Sequence, residues 1–159
     1  MVRCIEAKRP IDVNSNVLVL GAGGTGRQIA VALALAGAGR ISIANRTGRK
    51  AQELAETVRS AAPSCQVSYS VEVDPAPFDI VINATSLGLN GQGPLPVDVS
   101  KLATNAVVAE VVMSPAVTPL LEQAQERGLA IVPGRAMLDQ QLEAIIEFLG
   151  LANVSPSSP

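Results

Sequence analysis

The sequence predicts a three-layer α/β domain, a doubly wound parallel sheet with helices on both faces. Three observations lead there. Short β-branched runs alternate with longer helical stretches along the chain, the pattern of strand–helix–strand units in a parallel sheet. The first run, Val17-Leu18-Val19-Leu20, is apolar without alternation, as a strand buried on both faces must be. That run ends in a glycine cluster opening directly into a helix. At 159 residues, 48% of them hydrophobic, the chain is long enough for one domain with its own core.

The elements follow in order. Residues 1–15 carry charge and Pro10, and read as an entry segment, the end of a linker or a helix entering the domain. The dinucleotide-binding domain is expected over 16–150. After the first strand, Thr25 to Ala36 reads as a helix rich in Ala, Leu and Ile, stopped by Gly37-Ala38-Gly39. Arg40 to Ala44 is the second strand. Gly48 to Ala62 is an amphipathic helix with Leu54, Ala55 and Val58 inward, ended by Pro63. Gln66 to Val71 alternates like a strand near the sheet edge. Ile80-Val81-Ile82 and Val107-Val108-Ala109 are the fourth and fifth strands, and Leu87 to Val97, rich in Gly and Pro, is the loop leaving the fourth. Thr118-Pro119 opens a helix to Arg127, with Gly128 as its stop. Ala130 to Val132 is the sixth strand and Met137 to Leu149 the last helix. Residues 151–159 form a polar tail expected to be disordered. Right-handed crossovers favour the strand order 3-2-1-4-5-6.

Composition excludes several functions. A formal charge of -2 and three aromatic residues, Tyr69, Phe78 and Phe148, offer nucleic acid neither a basic face nor a stacking platform. No apolar run reaches the roughly 18 residues of a membrane span. Met1 to Glu6 shows no signal-peptide core, so a soluble cytoplasmic protein is expected. Cys4 and Cys65 form no metal or redox motif. The chain has no histidine, which removes Ser-His-Asp and Cys-His nucleophilic schemes and the common zinc sites. Proton transfer would fall to Lys, Asp, Glu or Tyr, or to groups on another polypeptide.

The strongest signal is Gly21-Ala22-Gly23-Gly24-Thr25-Gly26. Read as G-x-G-x-x-G, it puts Gly21 at a tight turn, Gly23 where backbone meets pyrophosphate, and Gly26 where helix meets strand. The helix beginning there, at Gly24 and Thr25, points free N–H groups and a positive dipole end at an anion. Glycine-rich turns also join elements with no ligand. Here the strand before and the long apolar helix after supply the context of a Rossmann-type dinucleotide-binding domain. The second strand selects the cofactor. NAD domains usually end it with Asp or Glu for the ribose 2′-hydroxyl. This chain has Asn45-Arg46-Thr47-Gly48-Arg49-Lys50 instead, with no carboxylate before Glu53. Arg46, with Arg49 or Lys50, suits a 2′-phosphate, so NADP is the expected cofactor. The alternative is a solvated basic turn, although cations at a helix start oppose its dipole. The missing acid also counts against a methyltransferase.

With these residues in place, the chain resembles the C-terminal, NADP-binding domain of the shikimate dehydrogenase family, from about Asn16 to Gly150. The resemblance rests on separated motifs. Asn45-Arg46-Thr47 with Lys50 is similar to the family's N-R-T-x-x-[RK]. Asp79-Ile80-Val81-Ile82-Asn83-Ala84-Thr85-Ser86-Leu87-Gly88 matches its D-[IL]-[IV]-[IV]-N-A-T-[SP]-x-G. Pro115, Thr118-Pro119-Leu120-Leu121, and Gly134 with Met137-Leu138 and Gln141 follow at suitable spacing. The resemblance implies that Asn45, Arg46, Thr47 and Lys50 hold the 2′-phosphate, and that Thr85, Ser86 and Leu87 line the cofactor. It further implies that backbone groups of Val111 and Gly134 hold the nicotinamide amide, with Met137 against the ring, and that Gln141 reaches toward the substrate. By composition alone Met137 reads as core and Gln141 as surface.

The implied reaction is hydride transfer between NADP(H) and C3 of 3-dehydroshikimate or shikimate, in which the protein holds ring and substrate in register. The family's lysine–aspartate dyad belongs to a preceding N-terminal substrate domain. Lys8, Lys50 and Lys101 lie in no matching motif. That domain is therefore expected to be missing, and this chain, a fragment or stand-alone cofactor module, to bind NADP weakly and catalyse nothing alone. Glu110-Val111-Val112-Met113-Ser114-Pro115 stands where the family has D-x-x-Y-N-P, so a tyrosine hydroxyl is lost to Met113. Arg135-Ala136 replaces a more glycine-rich turn. A paralogous branch acting on shikimate, quinate or a related cyclic hydroxy acid is consistent with these changes. Two alternatives stay open: a non-catalytic NADP-binding or sensor module, and another NADP reductase such as a glutamyl-tRNA reductase relative.

Overall fold

The computed structural model describes residues 1–148, apart from the side chains of residues 140–144, 147 and 148. Six strands form one sheet: β1 (Asn16–Leu20), β2 (Arg40–Ala44), β3 (Gln66–Ser70), β4 (Ile80–Asn83), β5 (Val107–Glu110) and β6 (Ala130–Val132). Their order is β3-β2-β1-β4-β5-β6, and every neighbouring pair is parallel. The sequence predicts this order, because strands joined by helical crossovers leave few alternatives.

Alternation along each strand sends side chains to the two faces. Val17, Val19, Ile41, Ile43, Ile80 and Ile82 enter one core, with α2 (Gly24–Leu35) and α3 (Gly48–Ala61) packed over them. Leu18, Leu20, Val81 and Val108 enter the other, beneath α4 (Pro119–Glu126). Phe78, Val97, Val99 and Leu102 complete that second core. The crossover from β4 to β5 is not an α-helix. It uses two short 3₁₀ turns, Leu89–Gly91 and Val99–Lys101, as the density of Gly and Pro there demands.

Two element boundaries sharpen the sequence reading. Of the two alternatives for residues 1–15 the structure has the helical one, over a short stretch: α1 (Val2–Glu6) buries Cys4 and Ile5 in the first core. Five residues carry too little periodicity to fix its bounds, and it is held by tertiary packing. The last helix, α5 (Gly134–Phe148), begins a turn before Met137. Gly134, its first residue, is closely packed: a Cβ there would run into Val112 O and lie 2.8 Å from the Val111 backbone. Residues 149–150 of the expected domain and the 151–159 tail fall outside the described residues. Among those described, no helix is long and apolar enough to cross a membrane, and no group of three or more His, Cys, Asp and Glu could hold a metal.

Candidate functional site

Parallel strands end at one edge, and the registers set those ends in a row. Leu20 pairs with Ala44 on one side and Asn83 on the other, and Asn83 pairs with Glu110. From β1 the chain turns toward β2, and from β4 toward β5. A crevice opens where those directions diverge, the usual ligand position in such sheets.

Of the helices that begin at this edge, α2 and α3 are not capped by a side chain. The α2 N-cap is Gly23 and the α3 N-cap Thr47, each without a side-chain hydrogen bond. By contrast, Thr118 caps α4, its hydroxyl accepting from Leu121 N, and Glu122 sits in that first turn. Uncapped ends leave N–H donors and a positive dipole end unsatisfied. The first turn of α3 carries no carboxylate and has the cations Arg49 and Lys50 instead.

The glycines divide by role. Gly21 has φ +102°, and a Cβ there would lie 2.9 Å from Ala84 O. Gly26 packs directly on the Gly21 carbonyl, with no space for a side chain. Gly23 and Gly24 face open space, so nothing within the chain requires them to be glycine. Thr25 is exposed beside them. Asn45 ties this loop to the basic turn: its Oδ1 accepts from Ala22 N at 3.1 Å, and its Nδ2 donates to Thr47 O at 2.9 Å. Both its side-chain polar atoms are thus engaged within the protein.

A cleft of about 720 Å³ occupies the crevice. Leu20 and Ala44 line it from the strand ends, Asn45 and Arg46 from the basic turn, and Thr85, Ser86 and Leu87 from the segment after β4. The structure therefore brings the guanidinium-bearing turn and the Thr85–Leu87 segment to one space. Thr47, Arg49 and Lys50 are exposed on the turn and first helical residues beyond it and do not line the cleft. Arg49 pairs with Glu53 at 3.3 Å. Among the described residues, neither Arg46 nor Lys50 forms an ion pair. Sequence reasoning missed Val71, Glu72 and Val73 after β3, and Pro94, Pro96 and Val97, which also line it. Only the return of loops to one edge brings them there.

It missed Asn83 and Glu110 as well. Asn83 Oδ1 accepts from Thr85 N at 3.1 Å and from Thr85 Oγ1 at 2.6 Å, while its Nδ2 donates to Leu87 O at 3.0 Å. Thr85 Oγ1 in turn accepts from Leu87 N at 3.1 Å. A buried amide therefore holds the cleft wall in shape. Beside it, Glu110 is 0% exposed, and neither carboxylate oxygen has a hydrogen-bond partner. Burial pushes its carboxyl above the ordinary value of 4.5, opposed in part by the nearby Thr118 hydroxyl and Asn83 amide. A group that ionises later when folded than when unfolded contributes stability below 4.5, and that contribution is lost as pH rises through the higher, folded-state value. Glu110→Gln should remove this decline, read by denaturant titration between about pH 4 and about pH 8. Equal pH dependence in both proteins would count against a neutral Glu110.

Toward the β5 end, Val111 is half-buried, its backbone against the buried Gly134, and Met137 is half-buried in the first turns of α5. Val111 N donates to Asn83 O at 3.0 Å. Met113, in the place of the family's tyrosine, is 53% exposed. The Gln141 side chain lies outside the described residues. None of Lys8, Lys50 and Lys101 lines the cleft.

Comparison with known proteins agrees with this fold. Residues 6–89, just over half of the chain, match the family model for shikimate / quinate 5-dehydrogenase. A shikimate dehydrogenase (NADP(+)) from Methylobacterium radiotolerans is 42% identical over 140 residues, covering 86% of this chain and 48% of that protein. The ligand-free 5-ketofructose reductase of Gluconobacter sp. superimposes with a TM-score of 0.84 at 33% identity, over 94% of this chain and 55% of that one. Quinate dehydrogenase from Corynebacterium glutamicum, in complex with NAD, gives 0.77 at 30% identity, over 86% and 50% respectively. The chain spans about half the length of the curated relatives it matches.

Proposed function

Because the chain belongs to the shikimate / quinate dehydrogenase family, we propose that it is the NADP-binding half of an oxidoreductase that interconverts a cyclic hydroxy acid and its ketone. Residues 16–150 are read as its dinucleotide-binding unit. The observation that carries the reading is the pairing, in one cleft, of Arg46 with the Thr85–Leu87 wall, beside an uncapped glycine-rich helix start. The residues fit the cofactor. Gly23 and Gly24 leave space where any Cβ would obstruct a pyrophosphate, and the free α2 amides supply its donors. Arg46 meets the 2′-phosphate, and just outside the cleft Lys50 adds a second cation and Thr47 a hydroxyl. The bound cofactor supplies hydride chemistry, and this chain's part is to orient its ring with Val111, Gly134 and Met137. The substrate is shikimate, quinate or a close analogue, which Gln141 would face.

One relative was solved with NAD, so the choice of dinucleotide needs its own test. Calorimetric titration of this chain should give NADPH an affinity at least about tenfold above NADH, as one charge-assisted hydrogen bond supplies. Equal affinities would overturn the assignment.

A non-catalytic NADP-binding module has one observation in its favour: among the described residues, no lysine or tyrosine lines the cleft. Turnover of shikimate or quinate by a longer form carrying the remaining half of the relatives' length would dismiss it.

A further inference from the structure

A carboxylate stands in the cleft where an anionic cofactor would bind. Among the described residues that line it, Glu72 brings the one acid and Arg46 the one cation, and no ion pair joins them. Two other polar side chains of the lining are already spent, Asn45 on Ala22 and Thr47, and Thr85 on Asn83 and Leu87. Leu20, Ala44, Val73, Pro96 and Val97 give apolar walls, so the few polar groups left among them set what the cleft selects. Backbone contacts hold Glu72 at this place. Asn45 N donates to Ser70 O at 3.1 Å, and a Cβ on Gly48 would lie 3.3 Å from Val71 Cγ2. The segment leaving β3 therefore lies against the basic turn.

The strand order gives this acid a partner. Gly21 to Gly26 follow β1, Arg46 follows β2 and Glu72 follows β3, and these strands are successive neighbours in the sheet, about 4.8 Å apart. A dinucleotide with its pyrophosphate on the α2 N-terminus and its 2′-phosphate on Arg46 is thereby directed toward β3. The part of its adenosine that extends beyond the ribose is the base. Resting on the NADP-binding reading above, we propose that Glu72 is a specificity-determining residue, which accepts a hydrogen bond from the 6-amino group of the cofactor's adenine. An ionised carboxylate only accepts, and the 6-amino group is the donor that adenine presents on its edge. The phosphates of the same molecule, all acceptors, can only be repelled by Glu72. The contact thus fixes which end of the adenosine enters the cleft.

The test titrates wild type and Glu72→Ala with NADPH and with its purine analogue, which carries hydrogen in place of the 6-amino group. Wild type should prefer NADPH over the analogue by about tenfold, the worth of one charge-assisted hydrogen bond, and Glu72→Ala should bind the two within about twofold of each other. Because Glu72 is exposed and unpaired, the variant should melt within about 2 °C of wild type. The wild-type ratio can in any case be read without it. A wild-type ratio within about twofold of unity would overturn the proposal. So would a preference that survives in Glu72→Ala, including the case in which both ligands bind the variant equally more tightly, since Glu72 would then act through its charge alone. If NADH proves the tighter ligand, NADH and its own purine analogue make the same comparison. Absence of binding by either dinucleotide would sink the cofactor reading and this contact with it, whereas binding without discrimination at position 6 would sink the contact alone.

Discussion

Gly26→Val should unfold this domain more readily and abolish dinucleotide binding together, whereas Gly23→Ala should do only the second. The Cβ of any residue at position 26 would run into the Gly21 carbonyl, backbone against backbone, with no flexible side chain to move aside. Overpacking of this kind costs about 3 kcal/mol or more, roughly 10 °C in melting midpoint for a chain of this size. At Gly23 the added methyl meets nothing within 4 Å, so stability should stay within about 0.5 kcal/mol. Its only cost arises when a pyrophosphate approaches the α2 N-terminus. Thermal melts paired with NADPH titration separate the two. Undiminished binding by Gly23→Ala would remove the phosphate from this loop.

Arg46→Asp should lower NADPH affinity by about 100-fold and leave NADH binding equal or better. The substitution removes a charge-assisted pair and sets a carboxylate where the 2′-phosphate would lie, with room left for a 2′-hydroxyl. Arg49→Ala is the informative control. Arg49 is 84% exposed and spent on an i,i+4 pair with Glu53, a contact of little energetic value, so its loss should change affinity by less than about threefold. Should Arg49→Ala prove as damaging as Arg46→Asp, the 2′-phosphate sits outside the cleft, over the start of α3.

Much of the fold was legible because its strands are buried on both faces. Val17 to Leu20 and Ile80 to Ile82 can only be central strands, and the helices between them dictate parallel pairing. Strand ends were less legible. Asn83 and Glu110 close β4 and β5, but a polar residue after an apolar run reads as loop, and their burial follows from a register no local pattern contains. At the site, Arg46 and Thr85 to Leu87 were visible as motifs, 39 residues apart at their nearest Arg46–Thr85 separation. Glu72 and the prolines at 94 and 96 belong to no motif, and only loops converging on one edge make them neighbours.

That all six strands run the same way has a practical consequence for engineering. The hairpin-like bends at residues 62–65 and 37–39 join helix ends to strand starts, so they open on the side of the molecule opposite the cleft. A fluorophore or tether attached at the exposed Ser64 would ride at the rear, reporting on tumbling or immobilising the protein while the binding face stays open to solution.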